Sequence, residues 1–181
     1  MNLPNRLTVA RILLIPLFLA VASLKYPYTD YIAGALFVAG AVTDGLDGYI
    51  ARKNKLVTIF GKFMDPLADK IMVSAALIVL VELHRLPGWV AVVIISREFM
   101  VTGLRAVAAA EGKVIAASRL GKIKTVTQIV AIAALFIRHF PFSLIHFPIG
   151  NVAMAVALFY TVWSGWDYFK NTWALIKKEG Y

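Results

Sequence analysis

Six apolar segments follow one another along this chain, and they limit the possible folds more than any other feature. A helix needs about 20 predominantly apolar residues to cross the hydrocarbon core of a bilayer. Connections such as residues 25–30 and 84–86 are short, which favours an up-and-down bundle in which sequential helices are neighbours. We therefore predict an all-α integral membrane protein in which residues 1–181 form a single membrane domain. The six predicted transmembrane helices cover residues 7–24, 31–50, 60–83, 87–110, 123–137 and 148–173.

The placement of lysine and arginine predicts the orientation of these helices, because cytoplasmic connections carry an excess of both residues. With the N-terminus in the cytoplasm, thirteen basic residues fall on the inner side and three on the outer side. We therefore predict a multi-pass protein of the cell (inner) membrane. The net charge of +9 suits anionic membrane lipids as partners. No basic stretch interleaved with aromatics stands apart from the apolar segments, so no nucleic acid partner is expected.

Four aspartates interrupt the second and third apolar segments. Asp44 and Asp47 are three residues apart, and Asp65 and Asp69 are four apart, so each pair shares one face of its helix. A carboxylate at membrane depth is costly unless it is paired or binds a cation. No other sufficient source of positive charge is expected beside these acids. Because Mg²⁺ and Mn²⁺ prefer oxygen ligands, the spacing predicts a divalent metal site between the two helices.

The acidic segment also carries a longer pattern, Asp44-x-x-Asp47-Gly48-x-x-Ala51-Arg52, then eight residues, then Gly61-x-x-x-Asp65-x-x-x-Asp69. It resembles, position for position, the signature of the CDP-alcohol phosphotransferase family. Residues 5–11, 97–105 and 118–125 resemble the phosphatidylglycerophosphate synthase branch of that family. The resemblance implies a six-transmembrane-helix bundle of the CDP-alcohol phosphotransferase type. It further implies a homodimer that holds two divalent cations, Mg²⁺ or Mn²⁺, at the cytoplasmic face.

The chemistry implied by the resemblance is transfer of a phosphatidyl group from CDP-diacylglycerol to sn-glycerol 3-phosphate. The acceptor hydroxyl attacks the β-phosphorus, and phosphatidylglycerophosphate and CMP are formed. The resemblance assigns Asp44, Asp47 and Asp65 chiefly to the metals. It assigns Asp69 to the general base and keeps it among the metal ligands. Asp69 lies one helical turn beyond Asp65, where it could reach an incoming hydroxyl.

The resemblance also points to residues that contact the CDP-lipid. Simpler structural readings stay open for several of them: an N-cap at Asn5 with Arg11 extending to the headgroups, and an interfacial anchor at Arg52. Small residues at Gly48 and Gly61 also suit helix packing in membranes. The predicted CDP-lipid contacts are Asn5, Thr8, Gly48, Arg52, Thr58 and Gly61.

Basic residues near the cytoplasmic side predict a site for the acceptor phosphate. Guanidinium groups bind oxyanions in a bidentate manner, and Arg97 and Arg105 share one face of the fourth segment. Arg97 could instead pair with an internal acid, but Glu98 is not expected to be its partner, because adjacent helical side chains point about 100° apart. The predicted phosphate ligands are Arg97, Arg105, Arg119, Lys122 and Lys124.

Two alternatives remain for the function. The same chemistry could use another acceptor, such as inositol phosphate, serine or phosphatidylglycerol. A cation or proton transporter would also carry acids at membrane depth. The acids of this chain cluster at one end, and no matching set reaches the outer side, which disfavours transport.

Overall fold

A computed structural model describes residues 3–24, 26, 28–53, 59–110, 112, 118–137 and 148–180 of the protein. Within these ranges, side chains are described for residues 8–45, 64, 67–109, 112, 118–137 and 148–170. The described chain is entirely helical, which confirms the predicted fold class. Its six helices are α1 (Leu3–Ala22), α2 (Thr29–Lys53), α3 (Ile59–Glu82), α4 (Gly88–Ala110), α5 (Arg119–Phe136) and α6 (Ile149–Gly180).

The helix bounds differ most from the predicted segments at three ends. Helix α1 begins at Leu3, so Asn5 lies inside the helix and the N-cap interpretation of Asn5 is wrong. Helix α5 begins at Arg119, earlier than predicted, because the hydroxyl of Ser118 caps it by accepting a 3.0 Å bond from the Gly121 amide. Helix α6 continues to Gly180, beyond the apolar stretch that defined the segment.

The core forms where large apolar side chains from all six helices meet. Phe18 of α1 contacts Phe136 of α5 edge to face, with ring centroids 5.8 Å apart. Helix α5 packs against α2 and α6, and α4 packs against α3 and α6. Sequential helices were expected to be neighbours throughout, but in the described chain α4 and α5 have little direct backbone packing. The largest apolar side chains that are fully buried are Phe18, Phe37, Leu77, Leu80, Ile94, Ile132 and Phe136.

A close approach of three helices lies one turn before the first aspartate of the signature. At Gly40 of α2, an added Cβ would stand 3.0 Å from the Met72 methyl carbon and 3.3 Å from a Leu14 methyl carbon. A larger residue at this position would require the ends of the Met72 and Leu14 side chains to shift by a few tenths of an ångström, so glycine favours the close approach of α1 and α3 to α2. The packing at Gly40 therefore draws together the three helices that carry Arg11, Asp44 and Asp69.

Large apolar side chains are exposed on every helix, as in a protein that contacts lipid. They include Leu13 at 66%, Val92 at 63%, Val126 at 61% and Trp166 at 70% exposure. Among the described residues, Ile149–Lys170 is the one helical stretch long and apolar enough to cross a membrane by itself, and Thr8–Ala22 is a shorter apolar helix. Ionisable residues such as Asp69, Arg97 and Lys124 interrupt the apolar stretches of α3, α4 and α5.

Candidate active site

The four aspartates lie on α2 and α3, toward the ends that the short connection between these helices joins. Both pairs lie within regular helix, so each pair is separated by about one turn, as the spacing predicted. The side chains of Asp47 and Asp65 lie outside the described residues. The contacts of Asp44 and Asp69 therefore carry the description of the site.

Asp44 is paired with an arginine from the first helix. Its Oδ1 accepts a 2.5 Å hydrogen bond from Nη1 of Arg11, whose side chain is 1% exposed. The interpretation in which Arg11 extends to the lipid headgroups is therefore wrong. The expectation that these acids lack another source of positive charge is also wrong for Asp44. The physical reason is the close packing of α1 against α2, which turns Arg11 inward.

Asp69 lines a small pocket between the first five helices, whose lining combines apolar side chains with several ionisable ones. Arg11 reaches this pocket from α1, so one guanidinium both bonds to Asp44 and borders the space beside Asp69. Ionisable side chains from α1, α3, α4 and α5 line the pocket together, and Gln128 lies on the α5 side. The ionisable residues are Arg11, Asp69, Lys70, Glu98 and Lys124.

Glu98 lies at the centre of a buried charge network opposite Asp69. Its Oε1 accepts a 2.5 Å bond from Nζ of Lys124 and a 3.2 Å bond from Nη1 of Arg97. Nη2 of Arg97 donates to Oγ of Ser164 on α6 at 2.8 Å. The expectation that Glu98 could not pair with Arg97 is wrong, because both side chains are long enough for their ends to converge although their Cβ atoms diverge.

Further polar contacts tie α5 to α6 beside this network. Nε2 of Gln128 donates a 2.9 Å bond to Oγ1 of Thr161, and both residues are buried. The amide of Ser118, at the start of α5, donates to the hydroxyl of Tyr168 at 3.2 Å. Glu98, Gln128 and the α6 hydroxyls were not predicted as site residues from the sequence. The available signal was the presence of polar residues inside apolar segments, which require partners there.

The other predicted site residues divide into three groups. Thr8 is fully buried, one turn before Arg11 on α1. Arg105, Arg119 and Lys122 are exposed at the same end of the bundle as Asp69. Their assigned roles, and that of Arg97 in binding the acceptor phosphate, stay predictions. Thr58 lies outside the described residues, and only the helical backbone is described at Asn5, Gly48, Arg52 and Gly61.

The donor chemistry of this end fits hard divalent cations. Asp44 and Asp69 come from two neighbouring helices, and each has a second aspartate about one turn away. Arg11 bonds to Asp44 and also lines the pocket that contains Asp69. All four donors are carboxylate oxygens, the ligand type that Mg²⁺ and Mn²⁺ prefer. Among the side chains that the structure describes, no three acids or histidines form a metal-sized group.

A family profile and three known proteins that resemble this chain indicate one family. The family profile of CDP-alcohol phosphatidyltransferases matches residues 1–163. A Bacillus subtilis CDP-diacylglycerol–glycerol-3-phosphate 3-phosphatidyltransferase is 50% identical over 97% of this chain and 97% of its own length. Proteins of the same name from Rickettsia felis and Pseudomonas fluorescens are 38% and 37% identical, over 93% and 99% of this chain and 94% of each relative. The chain therefore belongs to the CDP-alcohol phosphatidyltransferase family.

Proposed function

We propose that this protein transfers the phosphatidyl group of CDP-diacylglycerol to glycerol 3-phosphate and releases CMP. The single observation that carries the proposal is that Asp69 and Lys124 line the same pocket. A general base for the acceptor hydroxyl and a cation for the acceptor phosphate therefore lie close together. The relatives named above carry the name of this reaction.

The four aspartates have two roles in this reaction: they bind metal, and one of them is also the general base. Asp44, Asp47, Asp65 and Asp69 hold two divalent cations, Mg²⁺ or Mn²⁺. When bound, these cations supply positive charge to the pyrophosphate and to the departing CMP. Asp69 accepts the proton of the acceptor hydroxyl as that oxygen attacks the β-phosphorus. The CDP-lipid lies against Asn5, Thr8, Gly48, Arg52, Thr58 and Gly61.

The acceptor assignment rests on the surplus of cations at this end of the bundle. A phosphorylated acceptor brings a dianion beside a pyrophosphate, so it needs cationic ligands of its own. Lys124 lines the pocket, and Arg105, Arg119 and Lys122 are exposed nearby at the same end. Serine would need no such group of cations.

The proposed setting is a homodimer in the cell membrane, with all six helices crossing the bilayer and the site at the cytoplasmic face. The distribution of basic residues supports this orientation. The exposed apolar side chains on every helix support the membrane crossings. The homodimer is carried over from the family resemblance.

Release of CMP by the purified protein, with CDP-diacylglycerol and a panel of acceptors, tests this function. We expect turnover with glycerol 3-phosphate, the acceptor in the names of the relatives, and little with serine. EDTA should abolish turnover and added Mg²⁺ or Mn²⁺ should restore it. Asp69→Asn should abolish turnover while the protein still inserts and purifies. Preference for an uncharged alcohol would overturn the acceptor assignment, and full activity after EDTA treatment would overturn the metal-dependent mechanism.

A further inference from the structure

Glu98 is a largely buried acid, 13% exposed, that is shared by two cations, and this arrangement has an electrostatic consequence. One carboxylate oxygen accepts bonds from both Lys124 and Arg97, and the side chains of all three residues are at most 13% exposed. The three groups together carry one surplus positive charge. A buried charge is costly unless it is balanced. Asp69 also lines the pocket beside Lys124, but so do the cations Arg11 and Lys70, so the lining keeps a surplus of positive charge that favours an additional anion.

The two cations differ in how firmly the fold holds them. Nη2 of Arg97 is bonded to Ser164, and its guanidinium carbon lies 6.0 Å from the ring centroid of Tyr168. The stem of Arg97 lies against Gly165, where an added Cβ would stand 3.1 Å from Cγ of Arg97. Ser164, Gly165 and Tyr168 of α6 thus all contact the side chain of Arg97 and hold it in place. Arg97 is the fixed counter-ion of Glu98.

Lys124 has different surroundings. Its stem is buried on α5, and it lines the pocket that Asp69 also lines. An anion that enters this pocket competes with Glu98 for the Lys124 ammonium. If Lys124 were the sole partner of Glu98, moving the ammonium would leave a buried carboxylate unbalanced. Arg97 prevents that cost, because it stays bonded to Glu98.

We propose that Glu98 is a positioning residue: it holds the Lys124 ammonium at the pocket wall until a phosphate monoester dianion replaces Glu98 as the partner of Lys124. Arg97, seated on α6, then balances Glu98. The ligand class is a small phosphorylated alcohol. This inference rests on the proposed function and deepens it, since it explains how a buried lysine is available to the acceptor before the acceptor binds.

A double-mutant cycle with Glu98→Gln and Lys124→Met tests whether Glu98 acts through Lys124. Glutamine keeps the size and a carbonyl acceptor but removes the charge. We expect Glu98→Gln to raise KM for glycerol 3-phosphate about tenfold, with less than about a twofold change in KM for CDP-diacylglycerol. In the Lys124→Met background, Glu98→Gln should change KM for glycerol 3-phosphate by less than about twofold. Glu82→Gln, an exposed acid at the opposite end of α3, is the matched control and should leave both KM values unchanged.

If Glu98→Gln does not fold, Ser164→Ala tests the same proposal. It removes the hydrogen bond that Arg97 donates to Ser164 and leaves Glu98 in place. It should raise KM for glycerol 3-phosphate severalfold in the wild-type background and have little effect beside Lys124→Met. Additive effects, or equal losses with both substrates, would mean that Glu98 has only a structural role. A lower KM in Glu98→Gln would mean that net charge, and not the position of Lys124, governs acceptor binding. If wild type releases no CMP with glycerol 3-phosphate, the proposed function fails and this inference fails with it; an additive cycle in an active wild type overturns this inference alone.

Discussion

Arg11 and Asp44 form an ion pair that joins α1 to the first aspartate of the signature. Arg11 is almost completely buried, while the side chain of Asp44 is 35% exposed. A guanidinium withdrawn from water is stabilised only when carboxylates or other acceptors replace the lost hydration. Arg11 also borders the Asp69 pocket, so it contributes to the charge balance of the site as well as to packing.

Arg11→Met should therefore destabilise the protein. Removing one partner of a buried ion pair typically costs about 3–5 kcal/mol, and because Asp44 is partly exposed we expect a loss of about 3 kcal/mol. Denaturant or thermal unfolding in detergent measures this loss. Arg11→Lys should recover part of it. Lys170→Met removes an exposed cation from α6 and should have no measurable effect. Equal stability of Arg11→Met and Lys170→Met would contradict a structural role for the Arg11–Asp44 pair.

At the residue scale, the sequence predicted that each pair of aspartates shares a helix face, and it did not predict that Arg11 pairs with Asp44. The aspartates follow a fixed spacing that helix periodicity converts into shared faces. The direction of Arg11 depends on which helix packs beside α1, and that choice is made by tertiary contacts such as those at Gly40. The pairing of Arg97 with Glu98 depends on side-chain length and rotamer, which a projection of Cβ directions does not include.

At the scale of elements, α6 provides the polar surface that supports α4 and α5. Thr161, Ser164 and Tyr168 follow one another at about one-turn intervals, and each contacts α4 or α5. Apolar run length predicted that six helices exist. It could not predict that α4 and α5 are bridged by the Glu98–Lys124 ion pair and the α6 hydroxyls, because that arrangement depends on where α5 packs.

The close contact between α6 and Arg97 predicts opposite effects for two glycine substitutions. In Gly165→Ala, the new Cβ would stand 3.1 Å from Arg97 Cγ, so Arg97 has to shift by a few tenths of an ångström. We expect a loss of about 1 kcal/mol in unfolding free energy, typical of mild overpacking. Gly103→Ala on α4 meets nothing within 4 Å and should be neutral or stabilise by up to about 1 kcal/mol. Parallel unfolding curves measure the difference, and a more stable Gly165→Ala would contradict the proposed fit of Arg97 against α6.

At the scale of the whole molecule, the two ends of the bundle differ in their polar chemistry. The half of the bundle that carries the signature aspartates is bordered, near the midpoints of α1 to α4, by a pocket lined by ionisable groups from four helices. At the opposite end, Arg85 bonds to Asp30 and donates a 3.4 Å bond to the Leu135 carbonyl, which fixes the α3–α4 turn against α2 and α5. The charges of Arg85 and Asp30 therefore balance each other. The basic residues outside it concentrate at the Asp69 end, as expected if that end faces the cytoplasm and soluble, anionic substrates.

Cysteine labelling tests this orientation directly, because the chain contains no cysteine and each introduced thiol is unique. Tyr26→Cys lies in the α1–α2 connection at a position that is 70% exposed, and it should react with an impermeant thiol reagent in intact cells. Arg119→Cys lies at the start of α5, also exposed, and should react only after the membrane is permeabilised. If the Arg119→Cys thiol reacts after permeabilisation, it is accessible on the protein surface. Its protection in intact cells is then due to the membrane barrier and not to burial within the protein. The reverse pattern would place the Asp69 pocket outside the cell, away from cytoplasmic glycerol 3-phosphate, and would contradict both the orientation and the proposed source of the acceptor.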